Sequence, residues 1–207
     1  MLEISIRSDV KRLEKSLNEL AYKQLPFASA VAMTALAKQV QQAEVQNMSK
    51  VLDNPTPFTL RSVGVKPARK DTQEALVYVK DIAAEYLLPY EFGGMNKLNS
   101  KALLKPIEQS VNKYGNLPRN LLARLKSRPD VFIGPVTRKG GETINGVWQR
   151  IPPQKGKPGA LKLLIRFTDA HPVTQHLGWR MLAQTIVRTR FNAEMGRALA
   201  KAIRTAR

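Results

Sequence analysis

Apolar and polar residues alternate along Leu2-Glu3-Ile4-Ser5-Ile6-Arg7, which predicts a short strand. The spacing then changes. Ser8 or Asp9 can cap a helix whose apolar positions are Val10, Leu13, Leu17, Leu20 and Ala21. Pro26 marks a break or a new first turn. From Phe27 to Val51 a second helical pattern runs without Gly or Pro. Its first part, Phe27 to Ala37, is rich in Ala and Val, and its continuation from Gln39 to Glu44 is polar. Asp53-Asn54-Pro55-Thr56-Pro57 stops it.

Ser62 to Val65 and Ala75 to Val79 read as strands, joined by the polar link Lys66 to Glu74. That link carries Lys66, Arg69 and Lys70, so the expectation is a mobile basic hairpin tip. Ile82 to Leu88 predicts a short helix ended by Pro89, followed by the turn Tyr90-Glu91-Phe92-Gly93-Gly94. Residues 101–108 are expected to be extended, 112–118 to be a turn, and 119–127 a short basic helix. Val131 to Gly134, Ile144 to Ile151 and Leu161 to Phe167 predict an antiparallel meander. Its connections are the basic loops Arg138-Lys139-Gly140-Gly141 and Pro152 to Gly159, the second carrying Lys155 and Lys157.

Pro172 is expected to start a final helix running from about Val173 to the end, with His171 leading into it. Phe191, Met195, Ala198, Leu199 and Ala202 form its apolar stripe. Arg190, Arg197, Lys201, Arg204 and Arg207 lie on the other side, with Glu194 placed to pair with Arg190 or Arg197. Taken together, the elements predict an α+β fold with helices segregated from antiparallel sheet. The expected organisation is a single domain over residues 1–207. Residues 1–54 supply the N-terminal strand and helices, 55–170 a β-rich core with basic loops, and 171–207 the C-terminal helix.

Charge narrows the functional classes. The 207 residues carry a formal net charge of +18. Residues 1–100 hold 13 basic and 11 acidic side chains, whereas residues 101–207 hold 21 and 5. Such asymmetry suggests that one face meets something anionic: nucleic acid, an acidic protein or an acidic surface. The candidate partner-facing cations are the helix set Arg190, Arg197, Lys201, Arg204 and Arg207, together with the loop residues Lys66, Arg69, Lys70, Arg138, Lys139, Lys155 and Lys157. An Ala-rich helix permits close approach of a neighbouring element, within the chain or on an adjacent subunit. Ala28, Ala32 and Ala35 are the candidate subunit contacts.

Cysteine is absent, which excludes disulfides, a Cys nucleophile and Cys-based zinc sites. No run of about 20 apolar residues suggests a membrane span. Met1-Leu2-Glu3 opens no apolar core of a signal peptide. His171 and His176 are the only histidines and do not form an HExxH pattern. Acidic residues are too scattered for a Mg²⁺ cluster, and the Gly-containing loops match neither the phosphate loop nor the dinucleotide fingerprint. No catalytic residue, metal ligand or cofactor site is therefore expected, and the chain reads as a non-enzyme. The aromatics are not interleaved with Lys or Arg as in a single-strand stacking platform. Nucleic-acid contact, if made, would be to phosphates and strongly salt-dependent.

Four stretches carry a family resemblance. Lys105 to Arg150 contains Asn112-Lys113-Tyr114-Gly115-Asn116-Leu117-Pro118-Arg119 and Gly146-Val147-Trp148-Gln149-Arg150, and resembles minor tail or neck proteins of tailed bacteriophages. Ala32-Met33-Thr34-Ala35-Leu36-Ala37 and the terminal segment Arg190 to Leu199 resemble the lambda-like minor tail protein Z group. Tyr90-Glu91-Phe92-Gly93-Gly94 is similar to a turn of tail-completion proteins. The resemblance implies a structural α+β subunit of the virion, assembled in the bacterial host cytoplasm. It implies a ring, of about six copies in such assemblies, around the DNA channel where tail meets head. Implied partners are further copies, other neck, portal-adaptor or tail proteins, and genomic DNA through its phosphates. The loops Lys66 to Glu74 and Pro152 to Pro158 are expected to order only on docking. The alternative reading is a free, sequence-independent nucleic-acid-binding protein.

Overall fold

The computed structural model describes residues 20–96 and 102–205, together with Lys15 and Asn18. The strand expected at residues 2–7 and most of the helix expected after it lie outside the described residues. In chain order, a π-helical turn at Leu20–Gln24 leads into helix α1 (Leu25–Val51), followed by a single turn α2 (Pro57–Leu60). Next come strands β1 (Val63–Lys66) and β2 (Leu76–Val79), helix α3 (Asp81–Phe92), and strands β3 (Gly94–Met95) and β4 (Leu103–Pro106). The remainder is helix α4 (Leu121–Lys126), strands β5 (Val131–Thr137), β6 (Thr143–Ile151), β7 (Ala160–Thr168) and β8 (Pro172–Val173), and helix α5 (Trp179–Thr205). The class is α+β, with every strand pairing antiparallel.

The chain divides into two compact units. The first comprises residues 1–51, 57–83 and 177–207, and the second residues 52–56 and 84–176. The reason is α5, which returns to α1 and completes the first unit. Both helices have 27 residues, about 40 Å at ~1.5 Å per residue. They run antiparallel: Ala28 and Ala32 cluster with Ala198 and Ala202, while Asn47 Nδ2 donates to the Leu177 carbonyl at 2.7 Å. Four buried alanines let the helix backbones approach closely. Glu44 and Met48, lower on α1, are fully buried, so part of the segment read as polar is core.

The β1–β2 hairpin lies against α1, where Gln41 Nε2 donates to the Val63 carbonyl at 2.8 Å. Its tip makes several side-chain contacts with α1. The Thr34 hydroxyl donates to the Ala30 carbonyl at 2.8 Å and accepts the Ala68 N–H at 3.0 Å. Gln73 Nε2 donates to the carbonyls of Pro26 (3.0 Å) and Lys70 (2.7 Å). Lys70 Nζ stands 5.2 Å from the centre of the Phe27 ring, a cation–π contact. These bonds hold the tip against α1 within the chain itself.

The second unit is built on a four-stranded sheet in the order β4-β7-β6-β5. One face buries Val131, Val147, Leu164 and Ile165 under Leu121 and Leu125 of α4. The other gathers Ile144, Trp148 and Leu163. A register shift between Val147 and Trp148 skips Leu164 in the pairing with β7. This bulge puts Leu164 and Ile165 in the same cluster. Arg128 and Asp130 clip the start of β5, with Nε to Oδ1 at 3.0 Å and Nη2 to Oδ2 at 2.6 Å. Gln149 Nε2 donates to the same Oδ2 at 2.8 Å and thereby ties β6 to the clip.

Two further expectations are corrected. Pro89 lies inside α3 and does not end it. The helix closes at Gly93, whose φ is +76° and whose N–H donates to the Pro89 carbonyl at 2.8 Å. Pro172 starts no helix: Pro172–Val173 pairs with Gly94–Met95 as a short ladder. Helix α5 begins only after Gly178, at φ +66°, whose carbonyl takes the Leu182 N–H. His171 therefore leads into a strand. His176 packs its ring edge-on to Tyr90 at 5.2 Å.

Candidate functional site

The basic stripe of α5 starts as a hydrogen-bonded chain between helices. Arg190 Nη1 donates to Gln39 Oε1 at 3.0 Å, and Gln39 Nε2 donates to Glu194 Oε1 at 2.6 Å. Arg197 Nη2 lies 2.9 Å from the same carboxylate oxygen. Glu194 is buried, and a buried carboxylate is costly unless it is paired and hydrogen-bonded. The Arg197–Glu194 pair is the one their helical spacing predicted; Arg190 reaches the same acid only through Gln39, a link the spacing did not reveal. Lys201 and Arg204 are exposed beyond this network. Arg207 lies outside the described residues.

Within the second unit the two basic loops lie at opposite ends of β6. Arg138 and Lys139 occupy the β5–β6 turn, closed by the Arg138 N–H to the Glu142 carbonyl at 2.9 Å. Lys155 and Lys157 occupy the β6–β7 connection, at the opposite end of β6. That strand has nine residues, about 30 Å at ~3.3 Å per residue. The second connection is a closed turn, with mutual backbone hydrogen bonds between Gln154 and Lys157 at 3.1 and 2.8 Å and Gly156 at φ +80°.

Of the candidate subunit contacts, Ala28 and Ala32 are corrected: they are buried against Ala198 and Ala202. Small side chains there serve the intrachain seam. Ala35 is half-buried and opens onto a groove of about 500 Å³. Phe27, Ala30, Val31, Thr34, Ala35 and Ala68 line its floor and walls, and Lys38, Arg69 and Lys70 line it with positive charge. This groove was not legible in the sequence, because it exists only once the hairpin tip lies on α1.

A second groove, about 400 Å³, lies between α1, β2 and α5. Trp179, Ala183, Val187 and Phe191 form its α5 wall, facing Met33 and Val77. Their regular spacing of four was available in the sequence as a missed signal.

Among the described residues, no three acidic or His side chains come together in a way that could hold a metal ion. No helix among them is long and apolar enough to cross a membrane. Compared with family models, curated proteins and solved structures, the chain matches none.

Proposed function

We propose that this chain is a non-enzymatic structural subunit of a tailed-phage virion, at the head–tail connection or in the tail, assembling as a ring around the DNA channel. The observation that carries the assembly reading is the apolar surface. Tyr22, Phe58, Ile82, Phe92, Met181 and Ile203 are all more than half exposed. We read these side chains as surface that neighbouring subunits would cover. The phage context rests on the resemblance of residues 112–119, 146–150 and 190–199. The basic second half of the chain then faces DNA or acidic neighbours in the assembly.

Light scattering of the purified chain at low and at ~1 M salt tests this reading. At high salt the Debye length is only ~3 Å, so a discrete multimeric mass that persists reports an apolar subunit interface. A single-chain mass at both salts and at high protein concentration counts against self-assembly. The second reading, sequence-independent nucleic-acid binding, draws on exposed Lys201 and Arg204 at the end of α5. A DNA titration whose affinity falls steeply with salt, from a chain that stays single, would favour it.

A further inference from the structure

We infer that helix α3 of a second copy docks into the cationic groove between α1 and the hairpin tip, an inference that rests on the ring reading above. The groove offers Phe27, Val31 and Ala35 as an apolar floor and Lys38, Arg69 and Lys70 as cations. None of the residues lining it carries a carboxylate. It therefore selects a ligand that is apolar and acidic on one surface.

The chain carries such a surface itself. Helix α3 contains no Lys or Arg. Its exposed residues Asp81, Ile82, Glu85, Leu88 and Phe92 share one side, an arc of roughly 120° at ~100° per residue. Two acids and three large apolar side chains are thus presented together. Ile82, Leu88 and Phe92 are each more than half exposed. The groove and the helix are complementary in charge and alike in apolarity.

The two surfaces are different patches of one chain, so pairing them between copies is heterologous. Such contacts propagate head to tail, and close into a ring when the rotation allows. Lys38, Arg69 and Lys70 would meet Asp81 and Glu85 of the next copy. The floor around Phe27 would receive Ile82, Leu88 and Phe92.

Two charge-reversed chains test this. One carries Lys38→Glu, Arg69→Glu and Lys70→Glu; the other carries Asp81→Lys and Glu85→Lys. Each is checked by circular dichroism for native helix content and weighed by light scattering at low salt. The expected result is a single-chain mass for either variant alone. Mixing them one to one is expected to regain a multimer, because each reversed groove then meets a reversed helix and each native groove a native one. A multimer of wild-type mass from both variants alone overturns the groove–helix pairing and leaves the ring reading standing. Two single-chain variants that stay single when mixed also overturn it. A wild-type chain that is single at every concentration overturns the pairing and the self-assembling ring together.

Discussion

Gln39 on α1 and Glu194 on α5 are 155 positions apart and joined by a 2.6 Å hydrogen bond from Nε2 to Oε1. That bond is the centre of a chain running from Arg190 to Arg197. Removing Gln39 leaves the buried Glu194 carboxylate with one fewer donor. Gln39→Ala is expected to destabilise the fold by about 1–3 kcal/mol, the cost of an under-satisfied buried polar group. Glu194→Ala should cost a similar amount. A double-mutant cycle in chemical denaturation should give a coupling of at least about 0.5 kcal/mol. A coupling near zero would mean the two side chains do not depend on each other.

The alanine seam makes a sharper distinction between neighbouring positions. Ala28 and Ala202 are fully buried where α1 meets α5, whereas Ala35 opens onto the cationic groove. Ala28→Leu inserts a larger side chain into a closed interface and is expected to cost about 1–3 kcal/mol. Ala35→Leu should change thermal stability little, within about 0.5 kcal/mol. Equal losses from both substitutions would show that Ala35 is packed as tightly as Ala28.

Regular elements were legible in the sequence where local signals agreed. The unbroken run from Phe27 to Val51 predicts α1, and the alternations around Val131, Trp148 and Leu163 predict the meander. What failed was context. Pro89 reads as a stop, yet Gly93 ends α3. Pro172 reads as a helix start, yet it and Val173 pair with Met95 and Gly94, far away in sequence. The pairing of β4 with β7 spans some sixty residues and leaves no local trace. The same holds for the candidate site. Cations at Arg190 and Arg197 were visible, but their link to Gln39 was not, because it depends on how α5 returns to α1.

Gly134 and Gly146 face each other across β5 and β6 in the register, yet their surroundings differ. A Cβ on Gly146 would collide with the Ile165 carbonyl and press on Leu163 Cδ1 at 2.9 Å. A Cβ on Gly134 would meet nothing within 4 Å. Gly146→Ala is expected to lower stability by about 1–3 kcal/mol, as overpacking does. Gly134→Ala should be neutral or stabilising by up to ~1 kcal/mol, because it restricts the unfolded chain. Thermal melts of the two variants decide this, and an equal drop in both would contradict the close β6–β7 approach.

The Asp130 clip predicts a pH dependence of definite sign. The hydrogen bonds from Arg128 and then from Gln149 hold the Asp130 carboxyl below the usual carboxylate range. The native pKa is therefore lower than the unfolded one, which is about 3.9. The native state binds this proton less readily than the unfolded chain. Its contribution to stability is present above the unfolded pKa and lost as pH falls through the lowered native value. Asp130→Asn removes the charge while keeping the shape. The variant is expected to be less stable than the parent at neutral pH, with the difference shrinking toward zero as both are acidified below pH ~4. Denaturant midpoints measured for both chains across that range check it. A stability gap that stays constant with pH would mean that the clip acts through shape, with the ionised carboxylate contributing nothing.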